Sequence, residues 1–544
     1  MTDDRDDLPK EFDLTVIGTG LTESIVAAAA SRVGKSVLHL DVNEYYGSYW
    51  ASFNLKNLQE LREECGEQKE MMESNGIQLW RHSNQVQNVQ MSWNIPATDA
   101  EVEERQWTQE RVMKDYHKFN IDLAPKLLFS RGPMVELLIS SNICRYAEFR
   151  SVDRVATLFE DDIKTVPCSR ADVFNTKEVT MVEKRVLMKM LETCMQCEEG
   201  NEEFEYNRES TFVQYLQSKR LPPKLIHYLL EAISMANVHT PFEEGIARVR
   251  RFIESLGRYG NTPFLFPMYG CGELPQCFCR LCAVFGGIYC LRRPIEKISV
   301  RGTDEDGGRR LKMMVGEQEI TTDEIVFGSG SVSITGDYQN RSCLAGLPEM
   351  TKSIKCGNMS RGIFMVDSPL GGKAENTGGG GVALLKLPPA PGVTVDKQGA
   401  YVIQLSHQSG TCPPGLYLIH ITCDAEIDPR LDLQPYVDQI LTFEEEQQEV
   451  EKMQEEPQQS DSDDSFDIWR RRKPRILFSL YFTIPQCYKC DNYDKLPAGI
   501  NLACGPYLEL DYDTSIIQGR ELFTKIYPDD EFLPRCPEPE EIIL

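Results

Sequence analysis

Gly18, Gly20, Glu23 and Asp41 are the residues whose types and spacing come nearest to chemistry. In the run Phe12-Asp-Leu-Thr-Val-Ile-Gly-Thr-Gly-Leu-Thr-Glu23, two glycines follow a short apolar strand and lead into an alanine-rich helix. A second apolar strand then ends in Asp41. This is the arrangement that cradles a dinucleotide: glycines let backbone amides approach a pyrophosphate at a helix N-terminus, and an acid holds a ribose hydroxyl. The third glycine of that pattern is missing, and Glu23 stands in its place. It is bulky where helix and strand should close, and negative where the helix dipole should draw in phosphate. The scaffold of flavin or nicotinamide chemistry is present with a spoiled nucleotide site, so no stoichiometric cofactor is expected.

Other chemistries find less support. No His or Cys sits in a recognisable nucleophile motif, and neither a phosphate-cradling loop nor a metal-binding histidine pair occurs. The 18 cysteines read as reduced thiols. Two CxxC pairs, Cys194/Cys197 and Cys487/Cys490, each lack a second pair at short spacing, and the chain has 7 histidines, so no structural zinc is expected. The cluster Cys271, Cys277, Cys279, Cys282 and Cys290 reads as small buried residues on a tightly packed element.

The elements that must position these residues follow from periodicity. The opening βαβ unit predicts an α/β, flavoprotein-like Rossmann-type fold. Residues 58–115 are polar and acidic, and read as a charged helix and a solvated loop inserted into the first domain. Residues 133–140 have helical spacing, and residues 145–163 alternate like paired strands. From about 169 to 257 the pattern is helical; Val182, Val186, Met190 and Cys194 line one side of an amphipathic helix. Further helices are predicted over 225–235 and 246–256. Sheet-like sequence resumes at 263, with alternating short strands over 301–332 and 362–419 and a strand over 475–484. Residues 443–467 are acidic and poor in apolar residues, the composition of a loop, and the basic run 470–475 beside them reads as solvated. The expected organisation is a discontinuous first domain, 1–168 and 258–544, which adds a mixed sheet to the Rossmann unit. An all-helical domain, 169–257, is inserted in it.

Composition bounds the partners. With 84 acidic and 58 basic residues the net charge is -26, and no basic stripe with interleaved aromatics offers a nucleic-acid surface. An acidic surface suits a partner with a basic face or tail, or simply keeps a protein soluble. No apolar run reaches the roughly 18 residues of a membrane span. The acidic start lacks a signal peptide and the end lacks a prenylation cysteine, so a cytosolic location without a lipid anchor is expected.

The resemblance to a known family goes well beyond the fingerprint. Asp13-Leu-Thr-Val-Ile-Gly-Thr-Gly-Leu-Thr-Glu-Ser24, with Val37-Leu-His-Leu-Asp41 and Tyr45-Tyr-Gly47, resembles the opening signature of the Rab GDP-dissociation inhibitors and Rab escort proteins. Asn120-Ile-Asp-Leu-Ala-Pro-Lys-Leu-Leu128 with Arg145-Tyr-Ala-Glu-Phe149 resembles their second block. Gly257-Arg-Tyr-Gly-Asn-Thr-Pro-Phe-Leu-Phe-Pro-Met-Tyr-Gly-Cys-Gly-Glu-Leu-Pro-Gln276 resembles the third. The blocks occur in family order and span most of the chain. The insertion 58–115, Tyr49-Trp-Ala-Ser-Phe53, Pro167-Cys-Ser-Arg-Ala-Asp-Val-Phe-Asn175, Gln276-Cys-Phe-Cys-Arg280 and the chain end 533–544 resemble the escort branch, component A of Rab geranylgeranyltransferase. That resemblance implies a non-catalytic accessory subunit. It would bind a new GDP-loaded Rab GTPase, present its C-terminal cysteines to the transferase α/β heterodimer, cover the attached geranylgeranyl lipid and touch membranes transiently. The alternatives are a GDP-dissociation inhibitor and, further off, a FAD-dependent oxidoreductase.

The resemblance also implies sites. Tyr46, Glu273, Gln276, Arg280 and Cys290 match the Rab-binding platform, with Cys290 where the inhibitors carry methionine. On spacing alone, Glu273, Gln276 and Arg280 share one helical face, which reads first as an ordinary solvated face; the resemblance reverses that. Phe174 and Arg185 match the contact with the transferase; without the family they read as a core aromatic and a surface charge. Met181, Leu187, Met190, Leu191, Leu229 and Ile233 are candidates to line a lipid groove, and core packing explains the same residues.

Overall fold

Apolar residues at alternate and then successive positions make Glu11–Ile17 a strand buried along most of its length, as expected where helices cover both faces of a parallel sheet. The structure is a computed structural model describing residues 8–66, 71–74, 77–80, 86–99, 106–168, 179–293, 295–300, 311–328, 332–333, 357–371, 380–390, 399–443, 473–486 and 498–535. In the first sheet Ile288–Cys290, Val37–Leu40, Glu11–Ile17 and Gln318–Gly328 run parallel in that order, and Leu311–Val315 and Ile295–Val300 continue it antiparallel. Ile500–Ala503 pairs in parallel with the last residues of Gln318–Gly328. The α/β, Rossmann-type expectation is met.

The first helix, Leu21–Arg32, is buried from Leu21 to Ser31. Its small residues let two helices approach closely, Glu273–Val284 and Asp513–Ile526. Contacts there include Ser24 Oγ to Cys279 Sγ and Ser31 Oγ to Cys282 Sγ, both 3.1 Å. The cysteine cluster is thus largely packing, as its composition suggested.

A second, eight-stranded sheet runs Asp162–Thr165, Arg154–Phe159, Ala383–Leu387, Ala400–Ser406, Tyr417–Asp424, Gly357–Val366, Ile476–Gln486, Gln87–Trp93. It is antiparallel except where Arg154–Phe159 meets Ala383–Leu387. Along Ala400–Ser406 successive residues serve two cores: Tyr401, Ile403 and Leu405 face the main one, while Ala400 and Val402 face a smaller one under helix Pro429–Ile440.

Two expectations about strands need correction. Residues 58–115 are not only helix and solvated loop: after helix Leu55–Gly66, Gln87–Trp93 is the edge strand of the second sheet. Its sequence is polar because an edge strand with few neighbours buries little; Gln90 and Ser92 bond Asp428 and Ser479, and Trp93 packs on Phe478. Residues 145–163 hold one hairpin rather than a continuous pair. Arg154–Phe159 and Asp162–Thr165 turn at Glu160 and Asp161, both at positive φ, whereas Phe149–Ser151 joins Phe264–Pro267 in a separate small sheet. Residues 444–467, Cys487, Cys490 and Arg470 lie outside the described residues.

Five α-helices and one π-helical turn fall between Met181 and Ser255. Met181–Gln196 starts at a capping box formed by Thr180 and Glu183. Its buried residues are Lys184, Leu187, Met190 and Cys194, while Val182 is 71% exposed. The expected stripe through Val182 and Val186 is therefore rotated. Steps of four residues drift by about 40° each on a helix of 3.6 residues per turn, whereas alternating steps of three and four stay on one face. The helix predicted over 225–235 begins as Pro223–His227 and widens into a π-helical turn, Tyr228–Ile233, closed by the Ser234 hydroxyl donating to Leu229 O at 2.8 Å.

Candidate functional site

The degenerate fingerprint folds as its residues dictate. Gly18 turns the chain at φ 99° between strand and helix, a conformation other residues avoid. Glu23 is buried, and its carboxylate folds back over the start of its own helix. A Cβ at Gly20 would lie 2.6 Å from that carboxyl, and one at Gly328 1.9 Å. The carboxyl accepts from the backbone amides of Gly20 and Glu23, and burial pushes its pKa up to about 8. Asp41, at the end of Val37–Leu40, accepts from Thr19 Oγ1 at 2.7 Å and Asn43 N at 2.8 Å, and burial raises it to about 6. Both anion-binding amides and the ribose-binding acid are thus satisfied by the chain itself. A flavin or nicotinamide pyrophosphate does not fit this cradle with Glu23 in place.

Next to it, past the C-terminal ends of Val37–Leu40 and Ile288–Cys290, a recess of about 290 Å³ opens. It is lined by Tyr46, Tyr146, Glu273, Gln276, Arg280 and Tyr289, with Cys277, Cys279 and Ala283 completing its wall. Gly47, at φ 100°, turns the loop that carries Tyr46. The Tyr46 ring stacks on Tyr289 with centroids 5.2 Å apart, and the Tyr289 hydroxyl donates to Cys279 Sγ at 2.8 Å. His39, in register with Tyr289, meets that ring edge-on; burial lowers its pKa to about 4, so it packs as neutral imidazole. Along helix Glu273–Val284, Glu273 is half-buried while Gln276 and Arg280 are exposed. Burial raises the Glu273 pKa. The Arg280 guanidinium lies 4.4 Å over the Tyr146 ring.

The start of that helix is held by Asp122. Its Oδ1 accepts from Ser52 Oγ at 2.5 Å and from Cys271 N at 2.8 Å, and Ser52 Oγ accepts from Gly272 N at 3.0 Å. The second sequence block thereby positions the third. Lys126, from the same block, is buried and donates to Tyr507 O at 2.6 Å.

Tyr46, Glu273, Gln276 and Arg280 are brought together, and Cys290 is not. It is half-buried against the main core and does not line the recess. Side chains alternate along a strand, so the neighbouring Tyr289 faces the recess instead. Tyr289, Tyr146 and Asp122 were missed by the sequence reading; Tyr146 and Asp122 both lie inside the quoted second block, which was the available signal.

The other candidates lie elsewhere. Arg185 is exposed on Met181–Gln196, in line with Met181 and Met188, which are 59% and 40% exposed. Phe174 lies outside the described residues. Of the lipid-groove candidates, Leu187, Met190, Leu229 and Ile233 are buried core residues, Leu191 is half-buried and Met181 is exposed. Ile233 also lines a mixed-charge recess with Phe129, Arg251 and Asp513. Cys194 and Cys197 face inward, and their backbone carbonyls accept from Arg250. Among the described residues no helix is long and apolar enough to cross a membrane.

Comparison with known proteins places this architecture. The family described as GDP dissociation inhibitor (GDI) matches residues 8–79 and 100–470. The chain is 42% identical to the Drosophila melanogaster protein named Rab proteins geranylgeranyltransferase component A, over 99% of this chain and 93% of that one. It is 32% identical to component A 1 of Rattus norvegicus, over 99% and 94%. The crystal structure of Rab GDI from Plasmodium falciparum superposes with a TM-score of 0.60 at 16% identity, covering 96% of this chain and 100% of that one, which shows a shared fold. The chain belongs to the GDP dissociation inhibitor family, in its Rab geranylgeranyltransferase component A branch.

Proposed function

We propose that this chain is a Rab escort protein. It binds a newly made GDP-bound Rab GTPase, presents its C-terminal cysteines to the transferase heterodimer, and shields the prenylated product until it meets a membrane. The observation that carries this reading is the convergence of Tyr46, Glu273, Gln276 and Arg280 on one recess from two distant stretches of sequence. Aromatic walls with a carboxyl, an amide and a guanidinium suit a protein surface offering both apolar and polar groups. The chain supplies no catalytic group in this reading; the transferase does. A geranylgeranyl chain has about twenty carbons, each worth roughly 0.8 kcal/mol when buried, so the carrier must offer a comparable apolar surface. The helical segment between Met181 and Ser255 is the proposed place, with Leu229 and Ile233 on its π-helical turn. Exposed Arg185, with Phe174, is the proposed contact for the transferase.

The test is reconstitution: transferase heterodimer, labelled geranylgeranyl diphosphate and an unprenylated Rab, with and without this chain. Label should reach the Rab only when the chain is present. A chain that extracts prenylated Rab from membranes yet never promotes labelling would be a dissociation inhibitor instead.

A further inference from the structure

The geometry points to Tyr146 as a positioning residue that holds the Arg280 guanidinium ready for the GTPase. The inference rests on the reading of the recess as the GTPase-binding face. Tyr146 follows a short 3-10 turn, Ile143–Arg145, which begins at Asn142 with φ 64° and is anchored by fully buried Ile143. Its amide donates to Ile143 O at 2.8 Å, fixing the backbone that carries the ring. The ring is 39% exposed at the mouth of the recess, and the Arg280 carbon Cζ sits 4.4 Å over its centre.

Two further observations separate this contact from ordinary surface packing. Among the described residues no carboxylate forms an ion pair with Arg280, and half-buried Glu273, two turns earlier on the same helix, is not bonded to it. An ion pair would use the N–H groups of the guanidinium fork; an aromatic face attracts its charge and sets its plane while leaving the edge N–H groups free. The same recess has a second aromatic wall, where Tyr46 stacks on Tyr289. Arg280 is thus held over the Tyr146 ring at the edge of the recess, with its N–H groups unspent among the described residues, so less rotamer freedom remains to be lost when an acceptor arrives. The acceptor that suits it is a carboxylate or a pair of backbone carbonyls on the GTPase.

A double-mutant cycle with a GDP-loaded, unprenylated Rab tests this. Tyr146→Leu, which keeps bulk and removes the aromatic face, is expected to weaken binding roughly three- to five-fold, the scale of a cation–π contact at an exposed site. Tyr146→Phe is expected to stay within about two-fold of wild type, since the ring face suffices. In an Arg280→Ala background, Tyr146→Leu should have no further effect. Additive losses, or Tyr146→Phe as weak as Tyr146→Leu, would overturn the proposal. Tyr146→Met is a second variant with the same reading if the leucine form melts early; if neither keeps the wild-type melting transition, the ring is a core element and the proposal fails. Should Arg280→Ala itself bind like wild type, the GTPase-face reading fails, and not merely the role of Tyr146.

Discussion

At the scale of single residues, Glu23 and Arg280 carry the two largest claims. Burial holds the Glu23 carboxyl at about 8, against an ordinary 4.5. The folded chain therefore keeps a proton that the unfolded chain gives up above 4.5. The stability this group contributes is full below that value and is lost as pH rises to about 8. Glu23→Gln cannot ionise, so its melting temperature relative to wild type should rise steadily between about pH 5 and pH 8; a constant difference over that window would contradict the assignment. Because the Glu23 side chain fills the cradle between Gly20 and Gly328, purified protein should show no flavin absorbance near one-to-one occupancy. Arg280→Ala should weaken binding of GDP-loaded Rab by about 2 kcal/mol, or roughly thirty-fold, without lowering the melting temperature, because the side chain is exposed and its loss opens no cavity. Titration calorimetry of the two proteins measures both the affinity and its absence.

At the scale of elements, what matters is which face of a helix points where. The capping box at Thr180 fixes the start of Met181–Gln196, and so fixes the phase that leaves Met181, Arg185 and Met188 outward and Leu187, Met190 and Cys194 inward. Thr180→Ala should cost about 1 kcal/mol and fray that first turn, visible as faster amide exchange from Met181 to Arg185. Phe174→Ala should greatly weaken capture of the transferase heterodimer in a pull-down while Rab capture persists. Arg185→Ala should act in the same direction and less strongly, as an exposed arginine at an interface rim. Equal capture by Phe174→Ala and wild type would remove the support for the transferase contact.

Over the whole molecule, the helical segment is tied to the body through Arg251. Its guanidinium lies 3.9 Å over the Phe129 ring and pairs with Asp511 at 3.0 Å and Asp513 at 2.5 Å. Burial raises the Asp513 pKa to about 7 even with that arginine beside it. Removing the arginine leaves two largely buried acids facing each other. Arg251→Ala should therefore loosen the junction by on the order of 1–2 kcal/mol, discounted for partial exposure. Limited proteolysis should cut near residues 256–262 sooner, while the recess around Arg280, which is lined by none of Arg251, Phe129, Asp511 and Asp513, keeps its Rab affinity. Unchanged proteolysis would show that packing alone holds the segment.

Much of this was written in the sequence. The opening strand, helix and strand follow from local apolar runs and glycines, and the polar spacing of Glu273, Gln276 and Arg280 follows from the helical repeat. Both depend on neighbours a few residues away, which sequence displays. Other features were hidden for physical reasons. Gln87–Trp93 is polar, and becomes a strand only because the edge of Ile476–Gln486 offers it hydrogen bonds. Helix Pro429–Ile440, by contrast, was legible and missed: Asp428 caps it, and Leu433, Tyr436, Val437 and Ile440 repeat at helical spacing over the small core it covers. Tyr289 rather than Cys290 faces the recess because sheet register decides which of two neighbours points inward. Glu23 shows both halves of the matter. Its type alone foretold a spoiled phosphate cradle, since charge and bulk are properties of the residue. That its carboxyl fills the gap between Gly20 and Gly328 was decided by tertiary structure, which brought together two glycines three hundred residues apart.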